Sequence, residues 1–125
     1  MKRVTRDIDL NQAQDLLERV PRARLAFADG QEPRAEPVTL LWRNHHYLVG
    51  IPKTATCQPE PGQEVALLVD EGVYYFELRA IYLRGKLHNT EAPLADQDSY
   101  TWFELAAEKT VAWDYGAMRE VSGAG

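Results

Sequence analysis

Several features that would narrow the function at once are missing from this sequence. It has a single cysteine, Cys57, among 125 residues, which excludes an intramolecular disulfide and is typical of a reducing cytoplasm. No apolar run approaches the roughly 20 residues that a membrane-spanning helix needs, and the N-terminal stretch lacks the apolar core of a signal peptide. We therefore expect a cytoplasmic protein that makes no membrane contact.

Acidic residues outnumber basic ones, 19 to 14. The formal net charge is -5 at pH 7, so the basic stripe with which nucleic-acid binders neutralise phosphates is not expected, and neither is a nucleic-acid partner. A strand would point the adjacent His45 and His46 to opposite faces. Because no Cys/His spacing typical of a metal site occurs, we predict no metal. Nothing pairs Cys57 with a base, so we predict no catalytic side chain either.

The length favours a single domain over residues 1–125, with frayed ends at 1–8 and 120–125. Apolar residues at helical spacing predict a helix over 10–19, which Pro21 ends. A second helix is predicted over 96–107 and a last short strand over 110–113. The other apolar runs are short and β-rich, which favours a small antiparallel barrel or α+β domain.

The segment Arg24–Gly50 is the most informative part of the chain and predicts three consecutive strands. Asp29-Gly30 is a hairpin signal, because glycine tolerates the positive φ of such turns. A second polar break follows at 43–45. Pro37 lies inside the middle strand, and since proline cannot donate to a sheet ladder, we expect it at an edge, a bulge or a strand start.

Five short strings, taken in order, resemble the FMN-binding split-barrel family, the pyridoxamine 5'-phosphate oxidase-like proteins. They are RLAFADGQEPRAEPVTLLW, HHYLVGIPKT, EVALLVDEG, LRAIYLRGKL and VAWDYGAMR. The resemblance extends over residues 16–119. It implies a mainly β fold, a six-stranded antiparallel split β-barrel with two or three helices, and a homodimer with two flavin sites across the subunit interface.

The resemblance also implies a function. An FMN-binding oxidoreductase of this kind acts on a small organic substrate by hydride transfer through the flavin N5, and the protein supplies position and electrostatics. A reductase of the same fold that uses the deazaflavin F420 is an alternative. The competing class is a non-enzymatic, dimeric protein that has lost the cofactor and either binds another ligand or has a stress-related role. Haem is disfavoured, because no histidine is placed for axial ligation.

The resemblance assigns cofactor contacts to the segment between the first two turns. Arg34 would bind phosphate or stabilise a reduced flavin, and its alternative is an ion pair with Glu32 or Glu36. Glu36 belongs to the same candidate set. The ring would lie against the three residues that follow, whose alternative is plain strand packing: Pro37, Val38 and Thr39.

Two further sets of residues complete the predicted site. Lys53, Thr54 and Thr56 follow a strand where the family binds the flavin phosphate, although the stretch after them is acidic and proline-rich, unlike the family. Arg79 and Arg84 are an odd number of residues apart, so a strand would point them to opposite faces, and one could reach the cofactor. Trp113 would cover the partner subunit's flavin or pack in the core.

Overall fold

The computed structural model describes residues 2–93 and 98–122, and this part of the chain is mainly β. One α-helix, α1 (Gln14–Arg19), follows a 3₁₀ turn at Leu10–Ala13, and further 3₁₀ turns lie at Tyr75–Glu77 and Tyr115–Ala117. The strands in chain order are β1 (Lys2–Thr5), β2 (Asp7–Ile8), β3 (Ala23–Asp29), β4 (Glu32–Pro37), β5 (Thr39–Arg43), β6 (His46–Pro52), β7 (Glu64–Glu71), β8 (Arg79–Asn89), β9 (Tyr100–Asp114) and β10 (Arg119–Ser122).

Seven strands form one antiparallel sheet in the order β4-β3-β7-β8-β9-β6-β5, and β2 pairs with β9 outside this path. The two edge strands, β4 and β5, are separated in sequence by Val38 alone. In a flat sheet these edges would be about 29 Å apart at the usual strand spacing of ~4.8 Å. The sheet must therefore curl into a half-barrel, and we call Glu32–Arg43, which carries both edges, the seam segment.

Tight turns fix the register of the seam segment. A two-residue loop with Gly30 at φ 65° joins β3 to β4, and Asn44 and His45 adopt φ 49° and 64° between β5 and β6, the geometry of a type I′ hairpin. Both predicted turns are confirmed. The predicted middle strand is instead two strands, because the chain bends at Val38, whose N–H donates to the Ala23 carbonyl at 3.1 Å. Pro37 ends an edge strand, as expected.

The inner face of the curled sheet forms the core. Strands β3, β7 and β8 bury every second side chain, and Leu25, Leu67, Ile81 and Leu83 are each 0% exposed. The buried residues of the described ranges include no polar or charged side chain. Helix α1 adds buried Leu16 and Leu17 to the same core cluster.

The prediction of a second helix is wrong from residue 100 onward, and residues 96 and 97 lie outside the described part. Tyr100–Asp114 form one long strand that absorbs the short strand predicted over 110–113. This strand pairs with β6 through Trp102 opposite Gly50 and with β8 through Leu105 opposite Leu87. Beyond Leu105, pairing with β8 alone continues the strand and overrides the helix preference of Ala106 and Ala107.

Other parts of the predicted architecture also need correction. The curled sheet has seven strands along its main path instead of six, and the described residues form a single α-helix where two or three helices were expected. Within the ends where fraying was predicted, the described residues pair as strands, β1 with β10, from Lys2 opposite Ser122 to Thr5 opposite Arg119. No helix between residues 2 and 122, outside 94–97, is long and apolar enough to cross a membrane.

Candidate functional site

A shallow apolar pocket of about 340 Å³ lies on the outer face of the sheet. Its base comes from alternation: Ala26 of β3 points away from the core, between Ala35 of β4 and Ala66 of β7, its direct cross-strand neighbours. We call this pocket the outer-face patch, and its lining residues are Arg24, Ala26, Ala35, Ala66, Leu67, Leu68, Tyr82 and Trp113.

The outer-face patch suits a flat aromatic ligand. The row Ala35, Ala26, Ala66 crosses three strands, which at the usual strand spacing is about 10 Å of surface covered only by methyl groups. Tyr82 and Trp113 add aromatic rings, which prefer to stack or to meet other rings edge to face. Leu68 and Trp113 also line a second pocket of about 160 Å³ next to Tyr115, so the apolar surface continues towards the end of β9.

Arg24 supplies the positive charge of the outer-face patch. It stands opposite Pro37 on one side and Leu68 on the other. Its side chain is exposed and makes no hydrogen bond or ion pair within residues 2–93 and 98–122. An unpaired guanidinium beside an apolar surface can bind a phosphate or carboxylate in a bidentate manner.

The predicted residues Arg34 and Glu36 lie on the other face of β4, opposite Phe27 and Leu25 of β3. The Arg34 guanidinium is 3.1 Å from the Glu32 carboxylate, so the ion pair that was its alternative role is present. The same guanidinium also lies 3.8 Å from the Asp29 carboxylate.

Asp29 accepts a hydrogen bond from the Cys57 thiol at 3.2 Å. This hydrogen bond raises the pKa of Cys57, and burial adds to the effect. The thiol is therefore held in its unreactive, protonated form.

Pro37, Val38 and Thr39 lie where the two sheet edges meet. Pro37 is exposed opposite Arg24, and Val38 packs against the core. Thr39 is paired with Gly50, where a Cβ would lie 2.7 Å from the Thr39 methyl and 2.9 Å from the Trp102 ring. Only glycine fits between these two side chains.

Trp102 carries an unsatisfied donor beside Thr39. Its side chain is 4% exposed, and its Nε1–H has no acceptor among the described residues. Leaving a buried donor without a partner costs roughly 1–3 kcal/mol. An acceptor oxygen from a ligand or a second chain would remove that cost.

Lys53, Thr54 and Thr56 lie in the turn and loop after β6, and all three are exposed. The Lys53 N–H donates to the Ser99 carbonyl at 3.0 Å, so this backbone donor is already used. None of the three lines the outer-face patch. The structure thus keeps the predicted phosphate turn apart from the alanine surface.

Arg79 and Arg84 do point to opposite faces, as predicted from their spacing. The Arg79 guanidinium is bound by Asp15 of α1 at 2.7 and 3.0 Å and lies 3.5 Å from Glu71. Arg79 first, and Arg19 second, hold the pKa of Asp15 well below its usual range. Arg84 is exposed on the outer face, 3.5 Å from Glu64.

Of the residues proposed from the sequence, Trp113 alone lines the outer-face patch. Sequence reasoning missed Arg24, Tyr82 and the three alanines. One signal was available: over residues 25–28 (LAFA) the core positions Leu25 and Phe27 are large, while the alternate positions carry alanine where a solvated strand would carry charged or polar residues. When the side chains on the outward face of a strand are small and apolar, that face typically packs against a ligand or another chain.

Within the described ranges, no group of three or more His, Cys, Asp or Glu side chains is arranged to hold a metal ion. The residues of the outer-face patch include no carboxylate, histidine or thiol. The patch can therefore position a ligand and balance its charge, but it offers no acid–base pair.

Comparison with solved structures identifies the fold. The chain is similar to an FAD-binding protein from Mycobacterium smegmatis, with a TM-score of 0.65 and 11% identity over 94% of this chain and 99% of that one. It is similar to an FAD- and heme-binding protein from the same organism, with a TM-score of 0.64 and 13% identity over 87% of this chain and 73% of that one. An FAD-binding protein from Mesorhizobium loti matches at a TM-score of 0.58 and 13% identity, over 98% of each chain.

No protein-family model matches the sequence, and no curated protein matches it either. Identities of 11–13% establish the fold alone. The chain has the half-barrel fold of flavin-binding split-barrel proteins, so the resemblance seen in the sequence is confirmed at the level of fold.

Proposed function

We propose that this protein binds a flavin, with the isoalloxazine ring on the outer-face patch. The observation that carries the proposal is the row Ala35, Ala26, Ala66 with Trp113 among the neighbouring lining residues and the unpaired Arg24 at its border. Small residues expose a flat surface of ring size, an aromatic side chain can stack or cover it, and a cation balances anionic charge. Two of the similar structures are FAD-binding proteins, which supports the same ligand class.

Each group in the patch has a defined task in this proposal. The alanines bind the ring by contact and exclude water from one side. Trp113 covers part of the surface, and Arg24 holds a phosphate or the negative charge of a reduced ring. A bound flavin would supply hydride transfer at N5 to or from a small organic substrate. The protein's own contribution is orientation and charge, which fits a patch without an acid–base pair.

FMN is the flavin we favour. A volume of about 340 Å³ is at the small end of ligand pockets, which run from about 300 to 1,000 Å³. That volume suits the isoalloxazine ring, and FMN is the flavin that the sequence resemblance implies, whereas two of the similar structures are FAD-binding proteins. F420 is the remaining alternative.

A second copy of the chain is the partner we propose for this face. Beyond the patch, the loop after β7 exposes Val73 by 81%, Tyr74 by 63%, Tyr75 by 68% and Phe76 by 57%. Contiguous exposed apolar residues of this size usually mark a protein interface. A symmetric dimer would cover them together with the patch, and size-exclusion chromatography with light scattering measures the mass directly.

The test is an absorption spectrum of the purified protein, followed by titration of the apoprotein with FMN, FAD and F420. We expect saturable FMN binding with a lower Kd than for FAD or F420. A colourless protein that binds none of the three would overturn the proposal. A Soret band together with indifference to flavins would indicate a haem protein instead.

Two variants test the phosphate contacts predicted from the sequence. If the phosphate lay at the turn predicted from the sequence, Lys53→Ala and Arg34→Ala would each weaken FMN binding, since each would remove a charge-assisted contact worth roughly 1.5–3 kcal/mol. Because neither side chain lines the outer-face patch and Arg34 pairs with Glu32 on the other face of β4, we expect both variants to keep the Kd of the wild type. A raised Kd in either variant would move the phosphate from Arg24 to the predicted turn. Reduction of the bound flavin followed by reoxidation with small organic acceptors separates an oxidoreductase from a non-enzymatic flavin carrier.

A further inference from the structure

Arg6 connects the N-terminal segment to the aromatic end of β9. Its guanidinium carbon lies 4.7 Å from the ring centroid of Trp113 and 4.7 Å from that of Tyr115. Both distances are within the range of a cation–π interaction, for which tryptophan is the best partner. One guanidinium therefore fixes two neighbouring rings at once.

The backbone around Arg6 is held just as closely. The Arg6 carbonyl accepts a hydrogen bond from the Asp114 N–H at 2.8 Å. On either side, Asp7 pairs with Trp113 in the ladder and β1 pairs with β10. The Asp7 carbonyl accepts a further hydrogen bond from Arg119 at 3.0 Å. The Arg6 side chain is thus set by main-chain contacts before it reaches the rings.

The position of the Trp113 ring matters because this ring lines both the outer-face patch and the adjoining pocket. Trp113 is half-buried, so core packing alone does not lock its rotamer. A cation over the ring selects one orientation and places positive charge beside Trp113, from the link between β1 and β2 and not from the strand that carries Arg24.

We infer that Arg6 is a positioning residue, which holds Trp113 in the orientation that completes the flavin surface. That the ligand is a flavin rests on the proposed function, whereas the role of Arg6 in orienting Trp113 rests on the observed ring contacts. Arg6 touches no reacting atom and acts through Trp113.

The test uses protein labelled with 5-fluorotryptophan, which gives three ¹⁹F signals. The Trp113 signal is the one that disappears in Trp113→Phe. In Arg6→Ala we expect the Trp113 signal alone to shift or broaden, while those of Trp42 and Trp102 stay in place. The Kd for FMN should rise by about three- to tenfold, the factor for losing a partly desolvated cation–π contact. Arg6→Lys keeps the charge and should restore part of both effects.

Arg3→Ala is the matched control, because it removes an exposed arginine of the same N-terminal segment that contacts neither ring. It should leave the ¹⁹F spectrum and the Kd unchanged. A folded Arg6→Ala protein with an unmoved Trp113 signal, or with an unchanged Kd, would overturn the inference. If the wild type itself binds no flavin, the proposed function fails, and the ¹⁹F spectra of the apoprotein still decide whether Arg6 positions the ring.

Discussion

The two faces of the curled sheet carry different chemistry, although the same strands supply both. On the inner face, Leu25, Leu83 and their neighbours are fully buried and sealed by α1. On the outer face, the alternate positions of those strands hold alanines, aromatic rings and an arginine that has no partner in the described part of the chain. The inner face is complete within one chain, whereas the outer face has an apolar surface still open to a ligand or a second copy. We therefore expect inner-face variants to change stability and outer-face variants to change binding.

The largest effect should come from the inner face. Leu83→Ala removes a side chain that is 0% exposed, and the lost contacts and remaining cavity should lower the free energy of unfolding by roughly 2–5 kcal/mol. Lys86→Ala, an exposed position on the same strand, should change it by no more than about 0.5 kcal/mol. Urea unfolding followed by circular dichroism measures both. Equal losses in the two variants would contradict the division between the faces.

Filling the outer-face patch should have the opposite signature. Ala26→Leu places a branched side chain in the middle of the alanine row, where we expect FMN affinity to fall by roughly 100-fold, or about 2.7 kcal/mol. Stability should stay near that of the wild type, because the new side chain points away from the core. Ala106→Leu, an exposed alanine of β9 outside the patch, is the control and should bind as the wild type does. Equal affinity in both variants would place the flavin elsewhere.

Removing the unpaired charge should have a smaller effect on binding. Arg24→Ala should raise the FMN Kd about tenfold, or ~1.4 kcal/mol, and the difference from the wild type should shrink as salt is added. Arg43→Ala, which removes an exposed arginine outside the patch, should leave the Kd unchanged. The same tenfold loss in both would mean that net charge, and not a specific contact, governs affinity.

The smallest effect should come from breaking the ion pair between Asp15 and Arg79, an arginine that is paired, in contrast to Arg24. Asp15, bound to Arg79 and Arg19, has a pKa below its ordinary value of 3.8. Its stabilisation is therefore full above that value and is lost as the pH falls through the lower folded-state pKa. Asp15→Asn should unfold at lower urea than the wild type at pH 6, and the gap should close as the pH falls below 4. Because these side chains are partly exposed, we expect a modest gap.

A constant gap down to pH 2 would show that the carboxylate charge of Asp15 is not what stabilises this contact. The measurement is the urea midpoint at each pH, for both proteins in the same buffers. Arg79→Gln should show part of the pH behaviour of Asp15→Asn, because it removes the larger of the two arginine contacts while Arg19 still pairs with Asp15. Together the two variants separate a structural arginine from the unpaired one at the patch.

Much of the fold could be predicted from local patterns. Gly30 and the polar break at 43–45 marked their turns correctly, because turn residues act through their own backbone preferences. The odd spacing of Arg79 and Arg84 correctly predicted opposite faces. The predicted second helix was wrong from residue 100 onward, since Ala106 and Ala107 favour a helix locally and become strand only through pairing with β8.

The candidate site was less predictable than the fold. Arg34 stood out as a charged residue next to a proline, yet its side chain pairs with Glu32 on the face away from the patch. Arg24 drew no attention, because nothing local distinguishes an arginine with a partner from one without. That property depends on side chains that are distant in sequence.

The sequence by itself determined which residues of each strand share a face, where the chain turns, and that no metal or nucleophile motif is present. These properties follow from the two-residue period of a strand and from backbone preferences, which are local. Only the tertiary structure decided that one seam segment carries both edges of the sheet, that Ala35, Ala26 and Ala66 lie side by side, and that Arg79 is paired while Arg24 has no partner among residues 2–93 and 98–122. Strand pairing depends on contacts between distant parts of the chain. The surface formed by several paired strands therefore cannot be predicted from the sequence of one strand.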